Sequence, residues 1–155
     1  MNLASLLSKE HINLQIKSSK KEEIIAGLVY QIKKGNDAEL IIHTLLKREE
    51  LGSTGIGKGI AIPHCRSLAV DKLEIAVGRT AKPVNYNAID KKPVTIFFLI
   101  IAPPQDPGNQ YLITLGKIVQ IAKELTKKNT LDEVKTPDEF IALINIIEKD
   151  LAKRK

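Results

Sequence analysis

The run Val94-Thr95-Ile96-Phe97-Phe98-Leu99-Ile100-Ile101 limits the fold more than any other stretch of this chain. It is too uniformly apolar for an edge strand. A strand buried on both faces needs helices on both sides of its sheet. Even extended to Ala102 it is the longest apolar run, well short of the roughly 18 residues that cross a bilayer. A buried strand is expected, and no membrane insertion.

The flanking periodicities supply those helices. Leu3, Leu6 and Leu7 share helical spacing, so a short helix is expected over 3–9, followed by a strand over 11–17 in which Ile12, Leu14 and Ile16 alternate with polar residues. Ser18 or Ser19 caps a helix over 20–34 that buries Ile24, Ile25, Leu28, Val29 and Ile32 and stops at Gly35. Asn36 or Asp37 caps the next, over 37–50, with Leu40, Ile41 and Leu45 inward, Ile42 beside them and Gly52 as its stop. The two helices, joined by a short turn, form an αα-hairpin.

Short strands are expected at 60–62 and 73–80, with a loop or edge hairpin over 83–90. Pro103, Pro104 and Pro107 break the chain before a helix over 110–128 that buries Leu112, Leu115, Ile118, Val119, Ala122 and Leu125. Thr130 or Asp132 opens a short turn. Thr136 at the cap and Pro137 at the first position open the last helix, with Phe140, Leu143, Ile144 and Ile147 inward. The expected class is α/β: a single-domain sandwich over 1–155, with a mixed sheet flanked by helices on both faces.

Composition narrows the partners. The net charge of +6 invites a nucleic-acid reading, yet the lysines are scattered as pairs (20–21, 33–34, 91–92, 127–128) and a tail (153–155). With no Trp, three Tyr and three Phe, few rings exist for base stacking, so no nucleic acid is expected. One cysteine excludes an internal disulfide framework. The first residues lack the basic start and long apolar stretch of a signal peptide. A cytoplasmic location is expected.

The chemistry concentrates in residues 48–66, which hold four of the nine glycines, two adjacent hydroxyls and a histidine between Pro63 and Cys65. Glycine lets backbone N–H groups approach a ligand closely, and such groups favour anions. Gly52-Ser53-Thr54-Gly55-Ile56-Gly57-Lys58-Gly59 nearly spells a nucleotide P-loop, but Gly59 stands where the Ser or Thr belongs. A P-loop also joins a strand to a helix, and here a helix precedes and a strand follows. A lone histidine is most often only packed or exposed. For a functional His64, candidate partners lie nearby in Arg48, Ser53, Thr54 and the glycine backbone. His11, His43 and Cys65 make no metal-ligand spacing with it, and Cys65 points to the opposite strand face. Glu49 and Glu50, at a helix end, are expected to face solvent.

Leu51-Gly52-Ser53-Thr54-Gly55-Ile56-Gly57, followed by Ile60-Ala61-Ile62-Pro63-His64 and Arg66, resembles the active-site signature of enzyme IIA of the fructose/mannitol type. These are phosphoryl-carrier domains of the bacterial phosphoenolpyruvate-dependent phosphotransferase system. Among its sub-types the chain is most similar to the nitrogen-regulatory IIA proteins. The resemblance implies that His64 takes a phosphoryl group from the phosphohistidine of the carrier HPr, then passes it to a IIB cysteine or signals by its phosphorylation state. Arg48, Ser53 and Thr54 match the family residues beside that histidine, with Gly55, Gly57 and Gly59 as the phosphate cradle. No metal or other cofactor is implied.

The same chemistry fits the residues taken alone. A neutral imidazole is a competent nucleophile near neutral pH, and phosphoryl transfer asks mainly for alignment and charge neutralisation. Two positions depart from the family pattern. Tyr111 stands where a second histidine is usual, which puts onward transfer in question, and Lys58 replaces an asparagine. Three readings follow: a regulatory IIA protein, the IIA step of fructose- or mannitol-type uptake feeding a separate IIB–IIC permease, and a non-transferring interaction module with the IIA fold.

Overall fold

Strand β6 (Val94–Ala102) carries the architecture, and eight of its nine residues are buried. The computed structural model describes residues 2–127 and 130–154. Before β6 come α1 (Leu3–Leu6), a 3-10 turn at Lys9–His11, β1 (Ile12–Ile16), α2 (Lys21–Tyr30) and α3 (Gly35–Leu51). Then follow β2 (Gly55–Gly57), β3 (Ile60–Ala61), β4 (His64–Arg66) and β5 (Glu74–Val84), and after β6 come α4 (Gln110–Lys127), α5 (Thr130–Glu133) and α6 (Pro137–Lys153).

The six-stranded sheet runs β1-β5-β6-β3-β2, with β4 also on β6. β5 lies antiparallel along one edge of β6. β3 and then β4 lie parallel along its other edge, Ile60 opposite Ile96 and His64 opposite Ile100. Alternation on β6 sorts the core into two layers. Ile96, Phe98, Ile100 and Ala102 pack against α4 and α6, while Phe97, Leu99 and Ile101 pack against α2 and α3. The mixed sheet with helices on both faces is thus the expected one.

The differences are local. The first helix ends at Leu6, and a 3-10 turn leads into β1. Neither Ser18 nor Ser19 caps α2, whose N-cap is Lys20 without a side-chain bond; Ser18 Oγ instead bonds Glu23 Oε2 at 2.7 Å. Gly35, at φ 65°, opens α3 rather than only ending α2, so neither Asn36 nor Asp37 is its cap. The inward stripe of α3 is Ala38, Ile41 and Leu45, and Leu40, one residue off that stripe, is exposed. On α4 the stripe is Tyr111, Thr114, Ile118, Ile121, Ala122 and Leu125, which turns Leu112 outward. β2 and β4 are strands that three-residue runs did not announce, and β5 extends to Val84, where it meets Val94. The last helix starts as expected, with Thr136 accepting from Glu139 N and Pro137 in the first turn. The expected helix end at 128 and the lysines at 128 and 155 lie outside the described residues.

Two-sided burial has a direct consequence. Phe97 contacts Tyr86 edge-on at 5.4 Å between ring centroids, Phe98 lies 6.2 Å from Phe140 on the other face, and neither is exposed. Phe97→Ala and Phe98→Ala should each destabilise the fold by about 3–5 kcal/mol in urea unfolding. A strand with one solvated face would tolerate one of the two.

Candidate functional site

The edge of β6 positions His64. Pro63 interrupts the run between β3 and β4, and its carbonyl still accepts from Ile100 N at 3.0 Å, so the register holds through the break. Ile60 and Ile62 face the α4–α6 core, Ala61 and Cys65 the α2–α3 core. By the same alternation His64 and Arg66 share the α4 face, and Cys65 is turned away. His64 is half-buried and Arg66 exposed.

Two groups meet His64 there, and two more brace the second of them. Its Nδ1 lies 2.7 Å from Ile62 O. A carbonyl oxygen only accepts, so Nδ1 carries the proton and the lone pair resides on Nε2. The ring of Tyr111, from the first turn of α4, stands 6.0 Å from the His64 ring at an interplanar angle of 58°. Arg66 lays its guanidinium over the same tyrosine, Cζ 4.7 Å from the centroid. Asp106 holds the start of α4, accepting from Gln110 N and Tyr111 N at 3.1 and 2.9 Å.

The other expected site residues divide. Arg48, in the last turn of α3, donates from Nη1 to Gly52 O at 2.9 Å. Burial, with a Cys65 charge adding to it, pushes the Tyr111 phenol up to about 12 against the opposing charges of Arg66 and Arg48. Ser53 Oγ donates to Tyr86 O and accepts from Gly55 N, both at 3.0 Å. Thr54 is buried, and its hydroxyl bonds Glu49 and the Tyr86 hydroxyl. Both hydroxyls are therefore tied into the loop that precedes β2.

The glycines are built into a hairpin. Gly57 pairs with Ile60, and between them Lys58 and Gly59 have φ 58° and 80°, positive at both positions as tight hairpin turns favour. Lys58 N donates to Asp90 Oδ2 at 3.0 Å, and Gly59 O accepts from Thr95 N and Ile96 N. Gly59 therefore sits beside residues 95–96 of β6 and His64 opposite Ile100. That separation is about 15 Å along the strand, too far for Gly57 and Gly59 to cradle a group on His64. Gly55 is needed for packing, since a Cβ there would lie 2.7 Å from Ala88 Cβ. Its carbonyl accepts from Ile89 N. The sequence expectation of a three-glycine cradle is corrected on this geometry.

Glu49 is also corrected: its side chain is 6% exposed. It pairs with Lys21 Nζ at 2.6 Å and accepts from Thr54 N at 3.1 Å and Tyr86 OH at 3.2 Å. Lys21 sits 4.3 Å from the Tyr86 ring centroid. This cluster ties α2 and α3 to residues 53–55 and 86. Nothing in a Glu-Glu pair distinguishes the inward carboxylate, whereas Arg66 was legible in principle as the residue two beyond His64 on one strand. Among the described residues no group of His, Cys, Asp or Glu converges as metal ligands.

Removing the Glu49 carboxylate leaves Lys21 without its counter-ion, holding only Tyr86 O, and the Thr54 N–H without its acceptor. Glu49→Ala should cost on the order of 3 kcal/mol and raise amide hydrogen exchange at Thr54 and Gly55. Burial also pushes the Cys65 thiol up to about 11, against about 8.5 for Cys and 10 for Tyr in an unfolded chain. Above those values the unfolded state releases protons first, so the contribution of these two groups to stability is flat from neutral pH to about pH 8.5 and falls as pH rises towards 12. Urea midpoints measured from pH 7 to 11 check this, and Cys65→Ala should delay the onset of the fall.

The chain is 37% identical over 125 residues to a nitrogen regulatory protein of Pseudomonas aeruginosa, covering 81% of this chain and 79% of that one. It is 34% identical over 152 residues to the fructose-specific EIIABC component of the phosphotransferase system of Bacillus subtilis. That match takes in 96% of this chain and spans about a quarter, 24%, of the Bacillus protein. The crystal structure of nitrogen regulatory protein IIA-Ntr from Neisseria meningitidis superposes with a TM-score of 0.82 at 28% identity, over 92% of this chain and 98% of that one. Residues 5–146 match the model of the EIIA 2 family of the phosphoenolpyruvate-dependent sugar phosphotransferase system, and the chain belongs to that family.

Proposed function

We propose that His64 is the phosphoryl acceptor of this chain, that an HPr-type phosphocarrier is the donor, and that the protein acts as a regulatory IIA protein. The observation that carries the reading is the 2.7 Å bond from Nδ1–H to Ile62 O, which leaves Nε2 with the lone pair. In the transfer, Nε2 attacks phosphorus as the bond from phosphorus to the donor imidazole breaks, with the bonding pair returning to the donor nitrogen. A donor ring protonated on its other nitrogen leaves as neutral imidazole. His64 keeps its Nδ1 proton and becomes the cationic ring, which the Ile62 carbonyl stabilises. The exchange is between like bonds, so it runs in either direction without a nucleotide or metal.

The surface near His64 supports a protein partner. Leu51 and Leu68 are each 85% exposed and Leu112 60%. In the chain they precede the Gly52–Ser53 loop, follow β4 and adjoin Tyr111, and exposed apolar side chains of this kind favour a protein partner. The same surface would serve a IIB domain or a regulatory target as the onward partner. The similarity to nitrogen regulatory proteins favours regulation. The fructose-specific relative keeps sugar uptake as the second reading, with the same chemistry at His64.

Incubation with phosphoenolpyruvate, enzyme I and HPr should add one phosphoryl mass to the intact protein, and His64→Ala should abolish the gain. No gain in the wild-type protein with its cognate HPr would leave a non-transferring interaction module. Deletion followed by growth on fructose or mannitol separates the other two: unimpaired growth supports regulation.

A further inference from the structure

Resting on His64 as the acceptor, we infer that Arg66 is a second phosphoryl-contacting cation of the site, carried on the ring of Tyr111. Imidazole at the position of Tyr111 could become cationic; a phenol cannot. Here burial pushes the phenol the other way, so the group remains neutral at physiological pH. The charge lies one layer further out. Arg66 and His64 are two residues apart on β4 and so share one strand face. Tyr111 touches both: its ring is 6.0 Å from the imidazole and 4.7 Å from the guanidinium carbon.

The remaining contacts hold the guanidinium without using it up. Arg66 Nη1 donates to Pro103 O at 3.0 Å and lies 3.8 Å from Asp106 Oδ2, with the arginine side chain 38% exposed. At 3.8 Å the pair is long, and its arginine end is open to solvent although the Asp106 side chain is only 8% exposed, so the guanidinium is not fully engaged. The pair does not compete strongly with a phosphoryl dianion, for which a guanidinium offers paired donors. The stack on Tyr111 fixes the plane of the guanidinium. Asp106, which also holds Tyr111 N at 2.9 Å, positions both members of the pair. Tyr111 thus serves as the platform that keeps a permanent cation beside Nε2, where the charge does not depend on pH.

Single-turnover uptake from phospho-HPr, with donor concentration varied, tests this. Arg66→Met keeps a straight stem over the ring and removes the charge; Arg66→Lys keeps both. The saturating rate should fall about 10²-fold in Arg66→Met and recover to within about tenfold in Arg66→Lys. If Arg66→Met fails to melt cooperatively, Arg66→Gln takes its place. An unchanged saturating rate in the uncharged variant overturns the inference while His64 phosphorylation stands. A loss confined to the half-saturating donor concentration overturns it too, because it assigns Arg66 to docking alone. A wild-type protein that takes no phosphoryl group overturns the acceptor reading itself and this inference with it.

Discussion

The register of one buried strand governs the molecule. β6 has no solvated face, so the two rows of its side chains demand separate helical layers, Phe98 and Ile100 towards α4 and α6, Phe97 and Leu99 towards α2 and α3. Its edges are equally committed, with β5 on one side and β3 and β4 on the other. A slip of one residue between β4 and β6 would exchange every side chain between the layers. His64 would then lie among α2 and α3, with Cys65 beside Tyr111. The observed register instead presents the imidazole at the start of α4.

Around that register the glycine-rich stretch is mostly scaffold. Its hairpin turn lies by the start of β6, Gly55 makes room for Ala88, and Ser53 and Thr54 bond Tyr86. The buried carboxylate of Glu49 gathers Lys21, Thr54 and Tyr86 into one polar cluster. Every member has a partner, as a buried network requires if it is not to destabilise the fold. The loop carrying Gly52 is thereby held from behind, and Arg48 closes onto it from α3. On the proposed function, phosphate recognition would fall to groups at the β4 edge, His64 and Arg66, with Arg48 at the end of α3.

Much of this was legible in the sequence, for physical reasons. The uniform apolarity of residues 94–101 forced two helical layers, and Thr136-Pro137 carried its own cap chemistry. The linkage of Pro63 and His64 marked the strand edge on which the proposed acceptor lies. What escaped is what short runs cannot encode. β2 and β4 are three residues each and exist only through pairing. Leu40 and Leu112 are apolar yet exposed, because a helical stripe is narrower than its list of apolar residues. Glu49 and Glu50 are identical in type, and only the chain fold decides which one turns inward. The glycines pointed to close approach of a ligand anion, whereas the neighbours they admit are protein: Ala88, Asp90 and Thr95.

The proposed chemistry depends on which nitrogen of one ring is free. The Ile62 carbonyl selects the tautomer, and the His64 ring stands 6.0 Å from that of Tyr111, which in turn carries the Arg66 guanidinium. Long-range proton–nitrogen NMR of the ring, in protein labelled with 15N-histidine before and after phosphorylation, reads this directly. The bond to Ile62 O predicts the Nδ1–H tautomer for free His64 and the phosphoryl group on Nε2. A phosphoryl group on Nδ1, or on any side chain other than His64, would contradict that chemistry.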